Sequence, residues 1–165
     1  MALGLSIAAV LAAALASTTS AGGSAPVCRA GQLRGQLLDS SGAAGTIVLS
    51  VTLVNDGASC SLKGYSGLLL VRGTSPLATR VRHGGIAILS QKPKVVILGA
   101  GGVATIFVAY GDVAVGGERR CPASTDLLVQ PPGQSDDVLV AVHARACNHG
   151  TLRESPVLLG RHHAT

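Results

Sequence analysis

Five histidines, four cysteines and eight carboxylates are the side chains of this 165-residue chain best equipped to bind a metal or act on a substrate. Their spacing argues against both. A zinc site asks for ligands two to four residues apart on one strand or helix, and His83, His143, His149, His162 and His163 offer no such pair beyond the adjacent two near the end. The serines lie in turn-like stretches without a Gly-x-Ser-x-Gly elbow, and Glu118 and Glu154 have no carboxylate nearby in sequence. Phosphate-loop and dinucleotide fingerprints are missing despite 22 glycines. There is no Cys-x-x-Cys, and an even cysteine count in an exported chain suits pairing better than thiol catalysis. We therefore assign no catalytic, cofactor-binding or metal-binding residue, and expect no cofactor.

One local feature stands out. Tyr65 sits between Gly64 and Gly67, close to Cys60, and is the residue we single out for surface docking. The competing reading is that the glycines permit a tight turn and the ring covers one end of the core. Only Tyr65, Phe107 and Tyr110 are aromatic, so the core must be aliphatic and exposed stacking platforms for nucleic acid are lacking. The net charge of +5 draws the protein weakly to anionic surfaces, but its arginines are single or paired, as at Arg80/Arg82 and Arg119-Arg120.

The elements that would position these residues begin after an export signal. Residues 1–16 are almost wholly apolar and give way to Ser17-Thr18-Thr19-Ser20, with Ala14 and Ala16 at the −3 and −1 positions of a cleavage site before Ser17. No Lys or Arg precedes Leu3, so the signal either starts upstream of Met1 or relies on the chain's amino group. The stretch is shorter than the roughly 20 apolar residues that cross a bilayer, and no membrane span is expected after cleavage. Residues 17–27 read as a flexible tether, 28–160 as one domain, and 161–165 as a tail. Pro26 and Val27 ahead of Cys28 do not suit a lipid-attachment site, which makes Cys28 an ordinary cystine partner.

Within the domain, Thr46 to Val54 alternates Ile47, Leu49, Val51 and Leu53 against a mixed face, and Val103 to Tyr110 does the same. Shorter strands are expected at Gly67–Arg72, Leu77–His83, Ile86–Leu89, Val95–Leu98, Asp126–Gln130, Asp137–Val142 and Val157–Gly160, with turns at Ser40-Ser41-Gly42, Asn55-Asp56-Gly57 and Pro131-Pro132-Gly133. No segment carries a helical stripe. The fold class is all-β, an immunoglobulin-like antiparallel β-sandwich with two disulfides.

Gly42-Ala43-Ala44-Gly45, the Asn55-Asp56-Gly57 turn and the run Cys60-Ser61-Leu62-Lys63-Gly64-Tyr65-Ser66-Gly67-Leu68 closely resemble the first half of the DUF4232 domain, found in actinobacterial secreted proteins and lipoproteins. Gly101-Gly102-Val103-Ala104, Cys121-Pro122, Leu127 to Pro132 and Cys147 resemble its second half, and Ser66 stands where that family commonly has Pro. The resemblance implies an extracytoplasmic β-sandwich and brings no catalytic residues. Four cysteines allow three connectivities; the strand order favours Cys28–Cys60, tying the first segment to the Tyr65 loop, and Cys121–Cys147, clasping the strands between them. The expectation is a non-enzymatic binding or structural module, secreted or in the cell envelope, with an envelope or extracellular protein as partner. The alternative is a secreted hydrolase or redox enzyme whose site is assembled from distant residues, with His143, His149 and Asp136 or Asp137 the nearest grouping.

Overall fold

A computed structural model describes residues 24–164. The expected signal 1–16, and the tether as far as residue 23, lie outside them. In chain order the strands are β1 (Leu33–Ala43), β2 (Thr46–Asn55), β3 (Cys60–Lys63), β4 (Gly67–Arg72), β5 (Ser75–Pro76), β6 (Arg80–His83), β7 (Val95–Leu98), β8 (Val103–Gly111), β9 (Asp126–Gln130), β10 (Val138–Ala141), β11 (Thr151–Glu154) and β12 (Leu158–Leu159).

One sheet runs β1-β2-β8-β11-β6, with β12 also paired to β8; a second runs β10-β9-β4-β5; β3 and β7 form a separate ladder. Every ladder between these strands is antiparallel except β6–β11, which is parallel. The all-β class is thus what the molecule adopts, with that one parallel pair as a departure. Leu49, Val51 and Leu53 of β2 and Ala104, Ile106 and Val108 of β8 face the second sheet, where they meet Leu68, Leu70, Leu127, Val129, Val138 and Val140.

The other face of β2 and β8 is also buried. Phe107 and Ala109 pack there with Leu89 and Ala164. Residues after β12 supply the polar cover: the Thr105 hydroxyl donates to the Gly160 carbonyl at 2.6 Å, and the Ser50 hydroxyl donates to the His162 carbonyl. A mixed face of Ser, Thr and Phe suits that second layer, because the hydroxyls find carbonyl partners while the ring takes the apolar contact.

Several expected boundaries shift for physical reasons. Ser40-Ser41-Gly42 is strand, not turn, because β1 lies at a sheet edge where small exposed residues pair without having to fill a core. The reversal falls at Ala44 and Gly45, whose φ of 47° and 77° suit a two-residue hairpin loop. Leu77–His83 is not one strand: the Leu77 N–H turns back to the Leu70 carbonyl at 2.8 Å, and pairing resumes only at Arg80. Ile86–Leu89 forms a 3₁₀ turn over Ala87–Leu89 that inserts Leu89 beneath the outer face, with the Ser90 hydroxyl on the Ile86 carbonyl at 2.9 Å. Of Val157–Gly160 only Leu158–Leu159 pairs as strand. Ala25 and Pro26, read as tether, offer their carbonyls to the Ser61 hydroxyl and Ser61 N–H beside β3.

Both expected cystines are present, Cys28–Cys60 and Cys121–Cys147, and no described cysteine is free. Closing loops of these lengths removes about 3 to 4 kcal/mol of unfolded-chain entropy apiece. Two such bonds point to an oxidising, extracytoplasmic environment. Among the described residues no helix is long and apolar enough to cross a membrane.

Candidate functional site

The parallel β6–β11 pair gathers the most unusual chemistry in the molecule. Its register sets His83 opposite Glu154 and Arg82 opposite Arg153. Along β11 the side chains alternate, so Leu152 and Glu154 enter the core while Arg153 points to solvent.

Glu154 is 0% exposed. Its Oε2 accepts the Ser66 N–H at 3.3 Å, and its Oε1 lies 3.2 Å from His83 Nε2 without hydrogen-bond geometry. The His83 ring, itself exposed, stacks parallel to Tyr65 with centroids 3.9 Å apart. Burial pushes the Glu154 carboxyl up to about 8, against the smaller opposing effect of the Ser66 N–H. At neutral pH it is therefore a protonated acid rather than one half of a charged pair.

This cluster does not have the layout of a nucleophile and its base. A Ser-His-acid relay needs the imidazole between hydroxyl and carboxylate, whereas the Ser66 hydroxyl is buried with no partner and Glu154 contacts Ser66 through the backbone. What the arrangement does is clamp. Tyr65 and Ser66 from the turn before β4 are held against β6 and β11, and the Gly84 N–H closes on the Glu154 carbonyl at 2.9 Å. Tyr65, the residue singled out for docking, is half-buried in this stack. Sequence reasoning missed Glu154 because its partners lie far away, Ser66 being 88 residues distant.

The opposite side of β11 opens on a cleft of about 460 Å³. Its rim carries the exposed apolar side chains Ile86, Val113 and Val115, and its floor is formed by Ala109 to Gly111 with Gly45 and Thr46. Arg153 is its one charged lining residue and forms no ion pair among the described residues. The guanidinium passes over Gly85, where a Cβ would lie 2.0 Å from Nη1, so a glycine at that position is what lets it cross.

The remaining candidates are dispersed. His143, His149, Asp136 and Asp137 are all exposed, and no hydrogen bond or ion pair links their side chains. The Glu118 carboxylate instead accepts the backbone N–H groups of Asn148 and His149 at 2.8 and 3.2 Å, steadying two residues with φ of 53° and 57°. Glu118 also approaches the sulfurs of Cys121 and Cys147, but these are joined to each other and are not thiolate ligands. His163 pairs with Asp39, and His162 Nε2 meets the Leu159 carbonyl at 2.7 Å.

No curated protein and no solved structure matches the chain. Residues 28–157, well over half of it and spanning both cystines, the Tyr65 turn, the cleft and the buried Glu154, match the domain of unknown function DUF4232. The chain belongs to the DUF4232 family.

Proposed function

We propose that this protein is a non-enzymatic binding module of the cell envelope or culture medium, and that it holds an apolar molecule bearing one negative group in the cleft beside Arg153. The observation that carries the reading is the cleft itself, in which exposed Ile86, Val113 and Val115 surround a single guanidinium that has no ion-pair partner among the described residues. Covering such apolar walls is favourable by about 25 cal/mol per Å² removed from water, while the cation selects the sign and orientation of the head group. The Tyr65–His83–Glu154 clamp serves this site from behind. It fixes the end of β6, from which Gly84 and Gly85 lead directly to Ile86 at the rim.

Calorimetric titration of the oxidised protein with decanoate and with decyltrimethylammonium tests the reading. Decanoate should bind saturably and the cation should not, and Arg153→Gln should weaken decanoate at least about tenfold. Absence of binding, or equal binding of the two amphiphiles, refutes the site. The apolar residues 1–16 and the cystines support the reading that the protein is exported. N-terminal sequencing of protein from the culture medium should start at or near Ser17, and an intact Met1 there would refute processing.

A further inference from the structure

On the far side of the β12 segment lies a second depression, of about 560 Å³, between β7 and β12. Its walls include Lys92, Lys94, Val95, Leu159 and His162, and no acidic side chain lines it among the described residues. Val95, Ile97 and Leu159 are 60%, 58% and 61% exposed, which is unusual for three neighbouring aliphatic side chains in so small a protein.

The backbone is as informative as the side chains. Ser61 of β3 uses its N–H and carbonyl on the Pro26 carbonyl and the Cys28 N–H, at 2.7 and 2.9 Å, on the side away from β7. Ser61 opposite Ile97 is therefore a non-hydrogen-bonded pair of the β3–β7 ladder, and so is Lys63 opposite Val95, two residues along. It follows that Val95 and Ile97 aim their own N–H and carbonyl groups away from β3. No other strand pairs with β7, and none of those four groups bonds elsewhere among the described residues. Part of this free edge borders the depression, at Val95.

Charge then selects the occupant. The chain has three lysines: Lys92 and Lys94 line the depression, and Lys63 lies directly across the β3–β7 ladder from Val95. A second copy pairing through its own β7 would bring only the same lysines to the edge and no acid to meet them. Lysines beside an unpaired strand discourage edge-to-edge association of like molecules. The same lysines attract an acidic strand.

We infer that β7 is a docking edge for an extended acidic polypeptide segment, which pairs with the backbone of Val95 and Ile97, lays apolar side chains on Val95, Ile97 and Leu159, and turns carboxylates to Lys63, Lys92 and Lys94. This is strand addition, in which the main chain supplies affinity and alternate side chains supply specificity. The site is separate from the Arg153 cleft and stands or falls without it.

The probe is a fluorescein-labelled octapeptide of alternating Val and Glu, titrated by anisotropy into the oxidised full chain. A Val-Lys octapeptide and phosphatidylglycerol vesicles serve as the comparison arms. The acidic peptide should bind, binding should weaken with added salt, and the Val95 and Ile97 amides should exchange more slowly with solvent in its presence. Lys92→Glu combined with Lys94→Glu should reduce affinity at least about tenfold while leaving the cystine map and circular dichroism unchanged. The inference is overturned if the acidic peptide does not bind, if the Val-Lys peptide binds equally, if vesicles bind and the peptide does not, or if the Val95 and Ile97 amides are already protected in the free protein.

Discussion

Arg153 and Glu154 are neighbours on one short strand and have opposite fates. Arg153 lies across Gly85 at the surface of an apolar cleft, whereas Glu154 is buried and holds its proton to about pH 8. Two adjacent ionisable residues on a strand must part in this way, since successive side chains leave opposite faces of the sheet. The surface residue is available to a ligand. The buried one is not, and its value lies in what it pins: Ser66 through the backbone, His83 through its ring and, by stacking, Tyr65. On the proposed reading, function and architecture are thus divided between the two sides of β11.

The largest expected effect that would break this contrast concerns pH. The Glu154 carboxyl rises from 4.5 to about 8 on folding, so between those values the unfolded chain has released a proton that the folded chain still holds. This contribution to stability is fully present below pH 4.5, is lost as pH rises toward 8, and is flat above. The slope is about 1.4 kcal/mol per pH unit, on the order of 5 kcal/mol across the window. The groups facing the carboxyl are Ser66 from the turn before β4 and His83 from β6, on whose ring Tyr65 stacks, and the variant comparison isolates Glu154 from them. Urea denaturation at pH 5, 6.5 and 8 should show the decline in the wild type and a much flatter profile in Glu154→Gln, whose amide oxygen still accepts the Ser66 N–H. Parallel profiles would mean that Glu154 is ionised in the folded protein.

Removing the ring that caps the buried side is expected to cost less. Tyr65→Ala forfeits the His83 stack, worth about 1 kcal/mol beyond the area it covers, while Tyr65→Phe keeps the stacked face and should stay within about 0.5 kcal/mol of wild type. Thermal denaturation of the pair distinguishes a structural ring from a hydroxyl needed elsewhere.

The same contrast explains what the sequence does and does not disclose. The alternation in Thr46–Val54 and Val103–Tyr110 is legible because one side of each strand meets the aliphatic core, and the cystine pairs are legible because each closes a short stretch of chain. Thr151-Leu152-Arg153-Glu154 is illegible as a strand: two of its four residues are charged, and only its placement between β6 and β8 shows that Glu154 faces inward. Ile86–Leu89 reads as a strand by composition, yet the positive φ of Gly84 and Gly85 redirects the chain and Leu89 packs on the outer face of the large sheet. The Tyr65 turn draws attention through its glycines, but its partners His83 and Glu154 come from elements that only the tertiary fold brings near.

Gly85 lies between the two sides of β11: it follows Gly84, whose N–H closes on the Glu154 carbonyl, and the Arg153 side chain crosses it. With φ of +96° and the Arg153 guanidinium where a Cβ would sit, Gly85→Ala must accept left-handed strain of about 1 to 2 kcal/mol and displace a side chain that is free to move. A modest fall in denaturation midpoint together with weaker decanoate binding is the expected pair of outcomes. Unchanged binding would show that the guanidinium need not cross at Gly85 to serve the cleft.

The smallest effect on stability should come from Arg153→Gln, and it is the sharpest test of the division. Arg153 is exposed and has no ion-pair partner among the described residues, so its removal leaves no buried charge or hydrogen-bond donor uncompensated. Replacing such a surface residue typically changes stability by no more than about 0.5 kcal/mol. Glutamine retains part of the aliphatic stem and removes only the charge, which keeps the cleft's apolar walls in place. If Arg153 serves the ligand and Glu154 the fold, this variant should unfold at the wild-type urea concentration and lose affinity for decanoate, while Glu154→Gln should alter the pH profile of unfolding and leave decanoate affinity at pH 6.5 unchanged. A destabilised Arg153→Gln that still binds decanoate would reverse the assignment and make the guanidinium a structural group of the β6–β11 edge.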